Sequence, residues 1–292
     1  MRNRSLADFE RRVRRPIIVL GAGRSGTSLI GRLLEVHPEV AFWGEPRPIW
    51  MYGTSYNKDH VLGEKDLTPR IARYIDDAFA EFQAERGKAR FAEKTPSNCL
   101  RIPFIHALYP DCRILHIYRD GRDVVRSTLK LEIKKPRKGI LLERMKTTPI
   151  WEWPSYLPMF VQTYLRTNVQ GKAATYWGAM PRGWKDWKEL PPHLRAAHQW
   201  KALVESAIHH GRALPSNNYR ELRYEDLVAR PDDEIDRICE FFELTRSPEM
   251  RALANERIDP SRPAKWRSSL DAEAEEAVTE LLEPTLRTLE YV

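Results

Sequence analysis

Pro16-Ile17-Ile18-Val19-Leu20-Gly21-Ala22-Gly23-Arg24-Ser25-Gly26-Thr27-Ser28 decides the fold. An apolar strand-like run, Ile17 to Leu20, enters a glycine turn, and a helix-like run, Ser28 to Val36, leaves it. At such a junction free backbone N–H groups and the positive end of the helix dipole converge, which makes an anion site. A Walker loop would carry lysine where Thr27 stands. The fixed charge here is Arg24, inside the turn, with the hydroxyls of Ser25, Thr27 and Ser28 beside it. The loop therefore suits a highly charged terminal group and does not read as a nucleoside triphosphatase. Gly21, Gly23 and Gly26 also fit the GxGxxG dinucleotide pattern, with Glu45 near the acid that pattern wants about 20 residues on. Arg24 in mid-loop argues against that alternative.

Working outward, four more strand-like runs follow: Val40-Trp43, Arg90-Ala92, Arg113-Tyr118 and Tyr219-Arg223. Helical patterns fall at Pro69-Arg86, Ser97-Leu108, Arg122-Leu131, His193-His210, Asp232-Phe242 and Asp271-Glu290. This alternation predicts an α/β fold of three layers, α/β/α, around a central, mostly parallel sheet. Ligands of such sheets sit outside the carboxyl ends of the strands.

The 292 residues are long enough to bury a core, and we expect a single domain over 1–292. Between about 131 and 215 the texture changes to tryptophan and proline, including Trp151, Trp153, Trp177, Trp184, Trp187 and Trp200. Linkers are poor in large aromatics, so this insert is expected to help shape an acceptor pocket or form a satellite core. The net charge of +7 favours an anionic ligand or partner. Cys99, Cys112 and Cys239 form no CxxC pair and suit a reducing compartment. With no secretory signal and no membrane-length apolar run, a cytoplasmic protein without an integral membrane segment is expected. No HExxH, Cys/His set or EF-hand spacing occurs, so no metal is expected.

Three further constellations carry chemistry. Arg119-Asp120-Gly121-Arg122-Asp123-Val124-Val125-Arg126-Ser127 follows a strand, so Arg119 stands at the edge where the first loop emerges. Asp120 is placed to cap the next helix, and Ser127 lies about two turns on. Arg119 and Ser127 could grip a second phosphate; the competing reading is a capped helix with a surface ion pair. Glu45 in Gly44-Glu45-Pro46 and Lys94 in Glu93-Lys94-Thr95 each follow a short strand. A carboxylate there could accept the proton of an attacking hydroxyl, and a lysine could neutralise a leaving oxygen. Otherwise both are ordinary strand-end charges.

Taken together, these pieces resemble the sulfotransferases that use 3′-phosphoadenosine 5′-phosphosulfate (PAPS). The likeness rests on the first loop through Leu29, on His37-Pro38, Gly44-Glu45, Glu93-Lys94 and the Arg119–Ser127 motif, and on Arg223-Tyr224-Glu225-Asp226-Leu227 and Lys265-Trp266-Arg267. It is nearer the tyrosylprotein branch than the cytosolic steroid/phenol branch, which carries a loop lysine and a histidine base. Here Arg24 takes the loop position, and His106 and His116 fall in no equivalent motif.

The resemblance implies a P-loop NTPase-like fold and a PAPS-dependent enzyme that releases PAP. By the same resemblance, Arg24, Ser25, Gly26, Thr27 and Ser28 hold the 5′-phosphosulfate. Arg119 and Ser127 hold the 3′-phosphate, with Lys265 and Arg267 on that side, and Tyr224 lies by the adenine. Glu45 is the implied base, and Lys94 and Arg24 the implied cations. The acceptor is then a hydroxyl of a small molecule or sugar, with no nucleic-acid partner. The rival readings are a P-loop-like small-molecule kinase, which would need Mg²⁺ and a loop lysine, and a non-catalytic nucleic-acid binder, whose arginines should track one face with interleaved aromatics.

Overall fold

Ile17 and Val19 bury against one set of helices while Ile18 and Leu20 bury against another, so the first strand is covered on both faces. That double burial is what a nearly all-apolar parallel strand requires. A computed structural model describes residues 9–132, 178–259 and 271–292. Its five strands are β1 (Ile17–Leu20), β2 (Val40–Gly44), β3 (Arg90–Lys94), β4 (Arg113–Tyr118) and β5 (Tyr219–Arg223). They form one parallel sheet in the order β2-β3-β1-β4-β5.

The helices are α1 (Thr27–Glu35), α2 (Arg47–Trp50), α3 (Pro69–Glu85), α4 (Ile102–Leu108), α5 (Gly121–Glu132), α6 (Pro192–Gly211), α7 (Tyr224–Ala229), α8 (Pro231–Phe242), α9 (Pro248–Arg257) and α10 (Ala272–Thr288). On one face α3, α4, α5, α6 and α10 pack over Ile18, Leu20, Phe91 and Ile114. On the other, α1, α7, α8 and α9 cover Ile17, Val19, Leu115, Ile117 and Leu222. The result is the expected three-layer α/β/α, P-loop NTPase-like architecture.

One expected helix is corrected. Ser97–Leu108 is not continuous: a 3-10 turn spans Pro96–Leu100, the chain breaks at Arg101, and α4 follows. Pro103 has no N–H to give the carbonyl of Cys99, and its ring would clash there. Part of the aromatic-rich stretch is core helix: Trp200 on α6 is 1% exposed. Trp184 and Trp187 lie on a short 3-10 turn with no buried residue, while Trp151, Trp153 and Trp177 fall outside the described residues.

Candidate functional site

The order of the strands fixes the order of the site. Reading along the carboxyl edge from β2 to β5, the chain presents Glu45, Lys94, the Gly21–Thr27 loop, Arg119 and Tyr224. Adjacent strands lie about 4.8 Å apart, so these groups stand in a row on one edge. β1 has β3 on one side and β4 on the other, and its loop sits at the point where the connections reverse, the usual ligand crevice of an open α/β sheet.

The first loop is held by close approach. A Cβ on Gly21 would lie 2.1 Å from the Ile117 carbonyl oxygen, so only glycine lets β1 turn there. Gly26, the N-cap of α1, has φ +100° and faces the ring of Tyr224, where a Cβ would lie 2.6 Å from Cδ2. Arg24 takes φ +73°, the left-handed region that ordinary residues avoid at about 1 kcal/mol or more. Ser25 is fully buried, and its Oγ has no hydrogen-bond partner among the described residues. Thr27 is buried and opens α1; Ser28 follows it, exposed on the first turn.

Arg24 Nε donates to Ser127 Oγ at 3.1 Å, which joins the first loop to the second motif. Arg119 leaves the end of β4 and pairs with Asp123 at 3.0 Å; its guanidinium lies 4.7 Å from the centre of the Tyr224 ring. Asp120 caps α5 as expected: its Oδ1 accepts from Arg122 N at 2.9 Å, and its carboxylate also takes the Arg122 side chain at 2.7 Å. The capped helix and ion pair of the plainer reading therefore exist. They are buried rather than on the surface, with the Asp123 side chain fully covered. Tyr224 is the hinge of this half, since one ring touches Gly26 of the first loop and the guanidinium of Arg119.

At the other end, Lys94 Nζ donates to Glu45 Oε1 at 2.6 Å. The backbone repeats the link, with Glu45 N donating to Lys94 O at 2.9 Å. Glu45 also takes a positive φ, +57°, as the chain turns sharply into α2. Its side chain is about a third exposed while that of Lys94 is 8% exposed. Beneath them Glu93 is fully buried and accepts from Thr95 Oγ1 at 2.6 Å and Asn98 Nδ2 at 2.7 Å. Burial pushes the Glu93 carboxyl up to about 7, against the pull of those hydrogen bonds. Arg47 was missed by the sequence reading: it binds the second oxygen of Glu45 at 2.8 Å. Its position two residues after Glu45, across Pro46, was the available signal.

The histidines near this edge are occupied elsewhere. His116 is fully buried, its Nδ1 is 2.8 Å from Tyr219 Oη, and burial pushes its pKa down to about 4. His60 is pushed down to about 3 by burial and then by the charges of Arg101 and Arg47. Lys265 and Arg267 lie outside the described residues. No group of three or more metal-ligating side chains is assembled among the described residues. No described helix is long and apolar enough to cross a membrane.

Comparison with known proteins shows the family of the chain. Residues 16–140 and 165–248 match the Sulfotransferase family. Nodulation protein NoeE of Sinorhizobium fredii is 23% identical over 90% of this chain and 62% of its own length. Human protein-tyrosine sulfotransferase 1 is 28% identical over 40% of this chain and 34% of its own length. The chain thus spans less than two thirds of these curated relatives. Among solved structures, the sulfotransferase domain of the Synechococcus olefin synthase superposes with a TM-score of 0.57 at 18% identity, covering 95% of this chain and 96% of that one. The sulfotransferase domain of the curacin biosynthetic pathway gives 0.55 at 16% identity, covering 93% and 98%. The chain is a member of the sulfotransferase family.

Proposed function

We propose that this chain moves a sulfuryl group from PAPS to a hydroxyl of a small-molecule or carbohydrate acceptor, with Glu45 as general base. The observation that carries the reading is the row along one sheet edge: carboxylate, lysine, anion loop, arginine, aromatic ring. A donor whose ribose carries a phosphosulfate on one side and a 3′-phosphate and an adenine on the other matches that order of partners. The donor set fits as well: Arg24 and Arg119 supply charge, and the buried Ser25 hydroxyl has a bond still to make. Arg24, Ser25, Gly26, Thr27 and Ser28 would hold the 5′-phosphosulfate. Arg119 and Ser127 would hold the 3′-phosphate and Tyr224 the adenine, with Lys265 and Arg267 on the 3′ side by family resemblance. PAPS supplies an activated sulfuryl group whose transfer leaves PAP.

The protein's own part is positioning and charge, as in phosphoryl transfer. Lys94 serves two partners in turn. It neutralises Glu45 at rest, and it would offset charge on the leaving group when the donor is bound. Glu45 Oε1 then loses its ammonium partner and becomes the oxygen that receives the acceptor's proton, while Arg47 keeps Oε2 oriented. Arg24 offsets charge on the equatorial oxygens, helped by the loop amides. Fixed cations suffice because a sulfuryl group carries less charge than a phosphoryl group.

Glu45→Gln tests the reading. Turnover should fall by about 10²-fold or more, the usual worth of a general base, while affinity for 3′,5′-bisphosphoadenosine stays nearly intact. Unchanged turnover would remove Glu45 as base. Calorimetry with bisphosphoadenosine, ATP with Mg²⁺ and an oligonucleotide in parallel separates the rival readings, since preference for either of the last two overturns this one. Because several relatives are named protein-tyrosine sulfotransferases, a tyrosine peptide belongs beside sugars and phenols in the acceptor screen.

A further inference from the structure

Arg119 can select a 3′-phosphate only if the backbone beneath it is rigid, and the source of that rigidity lies far away in sequence. Asp120 N donates to Glu225 Oε1 at 3.2 Å. The other oxygen of Glu225 accepts from Tyr291 Oη at 2.7 Å. The Tyr291 ring meets Tyr118, the residue before Arg119, edge-on at 6.3 Å, and the Arg223 guanidinium lies 4.1 Å from its centre. One tyrosine therefore touches the ends of both β4 and β5 and the first residues of α7.

Tyr291 is itself fixed. Glu290 turns left-handed at φ +59°, and Tyr291 N returns to Leu286 O at 2.9 Å, the six-to-one bond of a Schellman helix stop. The helix so ended, α10, presses on the start of α5: a Cβ on Gly121 would lie 2.7 Å from Leu282 Cδ1 and 2.8 Å from Trp200 Cε3. Three of these contacts end on residues 118–121: the Tyr291 ring on Tyr118, Glu225 on the Asp120 amide, and Leu282 with Trp200 on Gly121.

We propose that Glu225 and Tyr291 are positioning residues for Arg119, a brace that makes the site selective for a nucleotide bearing a 3′-phosphate; this rests on the donor reading given above. On this proposal Glu225 acts through its neighbour and not on the nucleotide. It holds the Asp120 amide, and thereby the direction in which Arg119 leaves β4.

The test is titration of the full chain with 3′,5′-bisphosphoadenosine and with adenosine 5′-monophosphate, which lacks the 3′-phosphate. Glu225→Ala should weaken the bisphosphate about tenfold and the monophosphate less than twofold, and raise the KM for the donor with kcat little changed. Glu225→Gln keeps a carbonyl acceptor for Asp120 N and should recover most of the selectivity. Tyr291→Phe, which keeps the ring and removes one hydroxyl, should give a smaller loss with the same bias and serves where Glu225→Ala fails to fold. Equal losses for the two nucleotides, or none, in the folded variants overturn the brace. Arg119→Ala is the control. If it too fails to discriminate, Arg119 is no 3′-phosphate ligand and the second motif is structural only; if it discriminates while the Glu225 and Tyr291 variants do not, only the brace falls.

Discussion

Gly26→Ala strikes the point where both halves of the site meet. Its φ of +100° places an alanine in left-handed backbone, at a cost of about 1–2 kcal/mol. Its Cβ would sit 2.6 Å from Tyr224 Cδ2 and 3.0 Å from Ile117 Cδ1. Tyr224 is 5% exposed, so the ring has little room to retreat, and overpacking of this kind adds about 1–3 kcal/mol. The sum, roughly 2–5 kcal/mol of lost stability, should be visible in urea unfolding. Gly87→Ala calibrates the first part: it shares a positive φ, +60°, but has nothing within 4 Å of its would-be Cβ. The second part is isolated by a double-mutant cycle with Tyr224→Ala. With the ring gone, Gly26→Ala should keep the backbone cost that Gly87→Ala reports and the tight contact with Ile117 Cδ1, and the ring's share appears as a coupling of about 1–3 kcal/mol. Affinity for bisphosphoadenosine should fall along with stability, because the displaced ring also faces Arg119. Additivity of the two substitutions within about 0.5 kcal/mol would refute the claim that Tyr224 couples loop to arginine.

Arg119→Ala should weaken bisphosphoadenosine by about tenfold or more, the worth of a charge-assisted hydrogen bond, and adenosine 5′-monophosphate far less; equal weakening in calorimetry would make the second motif structural only. Glu93 predicts a pH dependence of folding. Its carboxyl is raised to about 7 in the folded protein, so the folded state holds the proton more tightly than the unfolded chain. The associated stability is fully present below the ordinary value of 4.5 and is lost as pH rises through about 7, a total of about 3 kcal/mol. Glu93→Gln should flatten that part of the stability curve between about pH 4.5 and 7.5, and identical slopes in the two proteins would count against it.

The central strands Ile17–Leu20 and Arg113–Tyr118 were legible because both their faces are buried and their runs are largely apolar; the edge strand Tyr219–Arg223 also falls where it was expected. β3 was read short. Arg90-Phe91-Ala92 looks like a strand, while Glu93-Lys94 looks like solvent, yet the strand continues through both. The charges are tolerated because Thr95 and Asn98 satisfy Glu93, and Glu45 satisfies Lys94. Helices α2 and α7 are four and six residues long, too short to show a helical period. In the site, Arg24, Lys94 and Arg119 could be found because strand ends and glycine turns announce themselves locally. Arg47, Glu225 and Tyr291 act through contacts; that between Tyr291 and Glu225 spans 66 positions, and no local pattern encodes it.

Arg24 and Glu45, the two residues assigned to flank the reacting group, both sit in left-handed backbone that glycine would occupy without strain. Each costs about 1 kcal/mol or more to hold there, as it does at Arg15, Glu243 and Glu290, which share the left-handed region. For Glu45 the compensation is visible: backbone and side chain both bond Lys94, and Arg47 takes the remaining oxygen. That triad also restrains the chemistry. A carboxylate between two cations is a weak base, and it becomes a stronger one only when Lys94 is drawn to another anion. If Glu45 is the base, as proposed, the arrangement ties proton abstraction to occupancy of the neighbouring loop, so an acceptor hydroxyl bound alone should not be deprotonated. Donor-independent deprotonation of a bound phenol acceptor, read from phenolate absorbance, would contradict this coupling.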